Sequence, residues 1–236
     1  MPRHARLMLP GLAFHVIQRG NNRSPCFRGE ADHRLYLALL RELAARFECA
    51  IHAYVLMTNH VHLLATPGDA EGLSMVMKHL GQRYVQHFNR CHARSGSLWE
   101  GRFRSGLVDS DGYLLRCYRY IECNPVRAGI ASDPAEYPWS SYLSNALGQR
   151  DDLITPHERY VGLAQTDALR RAGYLRLFEG EMTPAELARI RDAVNGGFAL
   201  GSQPFIDQLE RRLGHRVQRK KERVVPPRGT SGLSPV

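Results

Sequence analysis

His60-Val61-His62 sets two imidazoles at i, i+2, and Tyr120 with Asn124 sets a phenol and a carboxamide at i, i+4. Side chains on a β-strand alternate faces, so on a strand the two imidazoles point the same way. Residues four apart on a helix are neighbours, so on a helix the phenol and the carboxamide do too. If that strand and that helix lie side by side, a metal-ligand pair and a tyrosine nucleophile share one cleft. Neutral imidazoles ligate divalent ions, and the carbonyl oxygen of Asn124 is a candidate third ligand. A tyrosine phenol ordinarily ionises at about pH 10 and is a poor nucleophile until a metal or a base assists it. The plain alternative is a buried, hydrogen-bonded histidine pair and an ordinary core tyrosine. Tyr113 and Tyr118 are rival phenols, and Tyr118 falls on a different helix face from Asn124.

The elements that must position these groups follow from periodicity. Residues 13–19 alternate like a half-buried strand and stop at Gly20-Asn21-Asn22, a turn signal. From Asp32 to Phe47, Leu35, Leu39, Leu40, Leu43 and Phe47 recur at helical spacing. Ala50–Met57 and His60–Thr66 are apolar stretches parted by Thr58-Asn59, which predicts a β-hairpin. Leu73 to Phe88 is a second amphipathic helix, and Trp99-Glu100-Gly101-Arg102-Phe103-Arg104 leads into a strand ending near Val108. A third helix runs through Tyr113–Cys123, capped by Asp111 or Ser110, and Pro125 limits its end. The order β-α-β-β-α-β followed by a helix predicts an α+β protein with a ferredoxin-like core, an antiparallel sheet with helices on one face.

After Gly129 the texture changes to a turn-rich segment, short helices around 155–178, and helices over Pro184–Val194 and Pro204–Leu213 joined by Gly196-Gly197. The expected division is a catalytic unit over 1–130, a helical extension over 131–214, and a disordered basic tail over 215–236. That tail carries six arginines and lysines against one glutamate. The Pro204–Leu213 helix reads either as a DNA-recognition or dimer-contact element or as simple packing through Phe205, Ile206, Leu209 and Leu213.

The 236 residues suffice for one large or two small domains, and 43% hydrophobic with 23% charged content is ordinary for a globular chain. The charge is not ordinary: +9, with a sequence pI near 9.6. Only Lys78, Lys220 and Lys221 are lysines, so the excess is arginine, whose planar fork suits phosphate and guanine edges. That balance favours a polyanionic partner. The five cysteines form no C-x-x-C pair, and Cys49, Cys117 and Cys123 sit in apolar surroundings, so they are expected reduced. No apolar run reaches membrane-spanning length and the N-terminus leads into no signal-peptide core, which predicts a cytoplasmic protein.

Thr58-Asn59-His60-Val61-His62-Leu63-Leu64 together with Tyr120-Ile121-Glu122-Cys123-Asn124-Pro125-Val126-Arg127-Ala128-Gly129 resembles the HUH single-tyrosine transposases, and within them the REP-associated branch. Pro10-Gly11 into His15-Val16-Ile17-Gln18-Arg19-Gly20-Asn21, and the Trp99–Phe103 segment, are similar to that branch as well. The resemblance covers roughly residues 1–145. It implies that His60, His62 and Asn124 hold Mg²⁺ or Mn²⁺, and that Tyr120 attacks a phosphate of single-stranded DNA. The result would be a 5′-phosphotyrosine link, later reversed to rejoin strands. It implies a hairpin-forming palindrome as the DNA partner, and a monomer, with a dimer as the alternative.

Candidates for phosphate and base contacts are Arg3, Arg6, Arg19, Asn22, Arg23, Lys78, Arg83, Arg102, Arg104, Arg116, Arg119 and Arg127. Trp99 is either a stacking platform for an unpaired base or a core residue. The competing functions are a hydrolase using metal-activated water with Tyr120 structural, and a repeat-binding protein that no longer cleaves.

Overall fold

The computed structural model describes residues 9–109 and 111–218. Its centre is a four-stranded antiparallel sheet in the order β2-β3-β1-β4, from β1 (Ala13–Arg19), β2 (Cys49–Met57), β3 (His60–Pro67) and β4 (Arg104–Val108). The crossover helices α1 (Glu30–Arg46) and α2 (Gly72–Cys91) give the β-α-β-β-α-β order the periodicity predicts. Strand alternation decides which face each residue serves. Phe14 and Val16 of β1 and Val61, Leu63 and Ala65 of β3 enter the core under α1 and α2. Ala13 and Leu64 enter a second core on the opposite face, the face that His15, His60 and His62 share by parity.

The expectation of helices on one face holds for α1 and α2 only. The other face is covered by α3 (Leu114–Glu122), and by α5 (Tyr142–Leu147), α7 (Asp167–Arg176) and α8 (Pro184–Gly196) from beyond residue 130. The reason is in the strands themselves. Ala53, Val55, Met57 and Leu64 are apolar on that second face, and a sheet apolar on both faces needs a layer on each. Between α3 and α8 lie the one-turn helices α4 (Asn124–Arg127) and α6 (Glu158–Val161). Helix α9 (Gln203–Leu213) buries Ile206 and Leu209 in the first core, which is the packing reading of that segment. Residues 215–218 belong to the folded unit: Val217 is buried, its carbonyl accepts from Ala199 N and its N–H donates to Glu210. The rest of the expected tail lies outside the described residues.

Three details place the site. The Thr58-Asn59 turn is pinned to the exit of β1, because Gly20 N donates to Asn59 O at 2.8 Å. In β2 the register slips between Ile51 and Ala53, and His52 at that irregularity bonds Thr66 Oγ1 and Thr155 O. Asp111 does not cap α3: its carboxylate pairs with Arg159, and buried Asp109 accepts from Asp111 N and from Ser202 N and Oγ, while Ser110, the other proposed cap, lies outside the described residues. Where β4 meets α8 the backbones nearly touch. A Cβ on Gly106 would stand 2.5 Å from Phe198 O and 3.2 Å from Ala193 O, both main-chain atoms that cannot swing aside. Gly106→Ala is therefore expected to lose about 1–3 kcal/mol of unfolding free energy, read by chemical denaturation.

Candidate active site

The antiparallel register sets Ile17 opposite His62 and Arg19 opposite His60. His15 then lies diagonal to His62 on the same face, within reach of a long side chain. The two rings meet: His15 Nε2 and His62 Nδ1 are 2.8 Å apart, with ring centroids at 5.0 Å. His60 stands edge-on to His62 at 5.1 Å, and its Nδ1 lies 2.7 Å from Asn59 Oδ1. Asn59 Nδ2 donates to Arg23 O at 3.1 Å, which turns the amide oxygen towards His60. The His60 Nδ1 therefore carries its proton and donates it, and Nε2 keeps a free lone pair.

All three imidazoles are held neutral. Burial lowers His15 to about 3, with the charge of Arg127 adding to it. His60 is lowered to about 4 by burial and then by Arg19 and Arg127. His62 lies well below its ordinary value through burial first, then its histidine neighbours and the two guanidinium groups. Neutral imidazole is the form that ligates a metal. Among the described residues no group of three His, Cys, Asp or Glu is disposed to hold an ion. His60 and His62 thus offer a pair of neutral imidazole donors, ligands that Mn²⁺ accepts.

Tyr120 comes to this pair from α3, with its ring edge-on to His15 at 5.6 Å and to His62 at 5.7 Å. Tyr118 instead packs on Tyr160 and Tyr174 in the second core, and Tyr113 lies under Arg116 and Arg189. The i, i+4 geometry assumed for Tyr120 and Asn124 is interrupted. Helix α3 stops at Glu122, and Asn124 opens α4, because Pro125 has no N–H to continue the ladder. Arg127, one turn further, reaches back: its Nη2 donates to Tyr120 O at 2.6 Å and its Cζ sits 4.4 Å from the Tyr120 ring centroid. Its Nη1 is buried without a partner among the described residues. Burial lowers the guanidinium from its ordinary value, and the Tyr120 phenol partly offsets that.

Residues 9–124 match the family of IS200-like transposases. Over that segment the chain is an IS200-like transposase. Its chemistry is transposase-type cleavage and rejoining of DNA. The fold agrees with a solved REP-associated tyrosine transposase bound to a REP hairpin, at 17% identity and TM-score 0.51 over 66% of this chain and 93% of that one. A candidate transposase of Deinococcus radiodurans R1 is similar at 21% identity and TM-score 0.37, over 51% of this chain and 96% of that one. No curated protein matches the transposase. Among its described residues no helix is long and apolar enough to cross a membrane.

The arginine candidates of the transposase divide into groups. Arg19, Arg102 and Arg104 line one cleft of about 60 Å³ with Ile17, Glu100 and Asn195. That cleft adjoins the histidines, since Arg19 faces His60 in the register. Asn22 and Arg23 are exposed on a left-handed turn beyond it. Arg116 and Arg119 leave the other side of α3 and line a separate cavity of about 760 Å³, where Arg116 pairs with Glu186 and Arg119 bonds Gly180 O. Lys78 and Arg83 lie on α2, across the sheet from the histidines, and Arg83 is paired with Glu42. Arg3 and Arg6 lie outside the described residues. Trp99 is a core residue, buried and stacked near Tyr84 at 6.1 Å. All five cysteines are free; Cys26, Cys49 and Cys117 are buried, Cys123 is partly so and Cys91 is exposed.

Sequence reasoning gave no role to His15 or Glu122. Face parity against His60 and His62 was the one signal for His15, and it needed the β1–β3 pairing. Glu122 is fully buried and accepts from Ser141 Oγ at 2.6 Å, Asn145 Nδ2 at 2.8 Å and Tyr174 Oη at 2.6 Å, all from beyond the motif.

Proposed function

We propose that this transposase cuts and rejoins single-stranded DNA at hairpin-forming, REP-type palindromes through a 5′-phosphotyrosine intermediate on Tyr120. The observation that carries the reading is the Tyr120 ring, held against His62 at 5.7 Å and beneath Arg127 at 4.4 Å. The Tyr120 oxygen attacks the scissile phosphorus as its proton leaves, an O–P bond forms, the P–O3′ bond breaks, and the departing oxygen takes up a proton as a 3′-hydroxyl. Rejoining is the same exchange in reverse, so the phosphoester energy is kept without a nucleotide cofactor.

His60, His62 and Asn124 would hold Mg²⁺ or Mn²⁺, which when bound would polarise the phosphoryl oxygen and orient the phosphate. The Arg127 Nη1, without a partner among the described residues, supplies a buried cationic donor for a phosphate oxygen. The cleft of Arg19, Arg102 and Arg104 takes the flanking strand backbone. The hairpin bound to the similar solved structure supports this class of DNA. Residues 1–130 form the catalytic unit, with 131–214 as the layer that holds α3 in place, acting as a monomer in the cytoplasm.

The test is incubation with end-labelled hairpin DNA and Mn²⁺, followed by a denaturing gel and mass mapping of the adduct. A DNA-linked peptide containing Tyr120 is expected. Cleavage without an adduct would indicate metal-activated water, and binding without cleavage under any divalent ion would indicate a repeat binder. Arg127→Lys, which keeps the charge but loses the forked geometry, is expected to slow single-turnover cleavage by roughly 10- to 100-fold.

A further inference from the structure

We infer that His15 is a positioning residue that fixes His62 as a metal ligand: its Nε2 accepts the His62 Nδ1 proton and so keeps the lone pair on His62 Nε2. This rests on the metal role proposed above for His62. A neutral imidazole has one N–H and one lone pair, and which nitrogen carries the proton is set by what the other nitrogen meets. For His60 the question is answered by the Asn59 amide oxygen, which only accepts. For His62 the one ring-nitrogen partner among the described residues is His15 Nε2, at 2.8 Å, and both residues are buried, at 2% exposure each.

Only two arrangements fit that contact. If His15 donates, the proton of His62 sits on Nε2 and blocks ligation. If His15 accepts, His62 donates from Nδ1 and Nε2 is free, matching the state that Asn59 imposes on His60. Among the described residues the buried His15 Nδ1 has no partner in either arrangement, so an orphaned ring nitrogen is tolerated to keep this contact. A histidine on a strand apolar at Ala13, Phe14, Val16 and Ile17 needs such a reason, since an apolar side chain would fill the place at no hydrogen-bonding cost. Nor does His15 complete a ligand triad, because no three-residue donor group is found among the described residues.

The test measures Mn²⁺ alone, by the loss of the free-ion electron spin resonance signal on titration with intact protein. Parent, His62→Ala, His15→Phe, His15→Gln and His15→Met are compared, each checked for folding by its thermal melt. His15→Phe is expected to weaken Mn²⁺ binding by about 10- to 100-fold, and His15→Gln, whose amide oxygen can accept, to recover most of it. Long-range ¹H–¹⁵N spectra with Mg²⁺ should show His62 protonated at Nδ1 in the parent and at Nε2 in His15→Phe, a change that a merely structural role would not cause. Should His15→Phe fail to fold, the Gln and Met variants decide: equal Mn²⁺ affinity for the two overturns the inference. Parental affinity in His15→Phe with loss in His62→Ala overturns it alone. A parent that binds no Mn²⁺, or a His62→Ala protein that binds as the parent does, overturns the metal role of His62 and this inference with it.

Discussion

A Tyr120→Phe protein is expected to bind hairpin DNA as the parent does, to melt within a degree or two of it, and to form no covalent adduct. Single-turnover cleavage should fall by about 10⁴-fold or more, because the substitution removes the one atom that bonds to phosphorus. The environment of the ring predicts the unchanged fold. Its contacts with His15 and His62 are edge-on ring contacts, and Arg127 lies over the ring face, all of which a phenyl ring preserves. The Arg127 bond runs to the Tyr120 main-chain carbonyl and so survives as well. Strand cleavage at the parental rate would mean that water, activated at the histidines, is the nucleophile. Cleavage by Tyr120→Phe with an adduct still forming would move the link to another residue. Tyr113 and Tyr118 are poorly placed for that, one under two guanidinium groups and the other sealed among Tyr160 and Tyr174.

The contrast between those tyrosines shows what the chain discloses about itself and what it withholds. Alternation in Val61, His62, Leu63 and Leu64 is a local property, so the shared face of His60 and His62 could be read before any coordinates. The helical stripes of α1 and α2 were legible in the same way. Two kinds of information were not local. Strand order depends on which edges meet once the crossover helices fold back, and only that order carries His15 to His62. The partners of Glu122 come from α5, α7 and the turn before α5, segments whose sequence shows ordinary amphipathic helices and nothing of the carboxylate they surround. The break at Asn124 lay between these cases. Pro125 advertises it, yet a proline in the first turn of a new helix and one that ends the old helix look alike in sequence.

Glu122→Ala is expected to be the most destabilising of these substitutions, by about 3–5 kcal/mol, lowering Tm by roughly 10 °C. It would strand three buried donors at once: the hydroxyls of Ser141 and Tyr174 and the amide of Asn145. These tie α3, and with it Tyr120, to the layer formed by α5 and α7, so adduct formation should fall alongside stability. Glu122→Gln separates packing from charge. Burial raises the Glu122 carboxyl to about 7 although its three donors pull the other way, so the folded state binds the proton more tightly than the unfolded chain does. Its favourable contribution is therefore complete below the unfolded value of about 4.5 and is lost as pH rises through about 7.

A glutamine mimics the protonated form, accepting from Ser141 and Asn145 and donating to the Tyr174 hydroxyl, which can rotate to receive it. Relative to the parent, Glu122→Gln should thus gain stability between pH 5 and pH 8, by up to about 3 kcal/mol, in paired chemical denaturation curves. The buried histidines shift both proteins alike and cancel in the difference. A difference that is flat across that window would show that Glu122 stays ionised throughout, and that its three donors outweigh its burial.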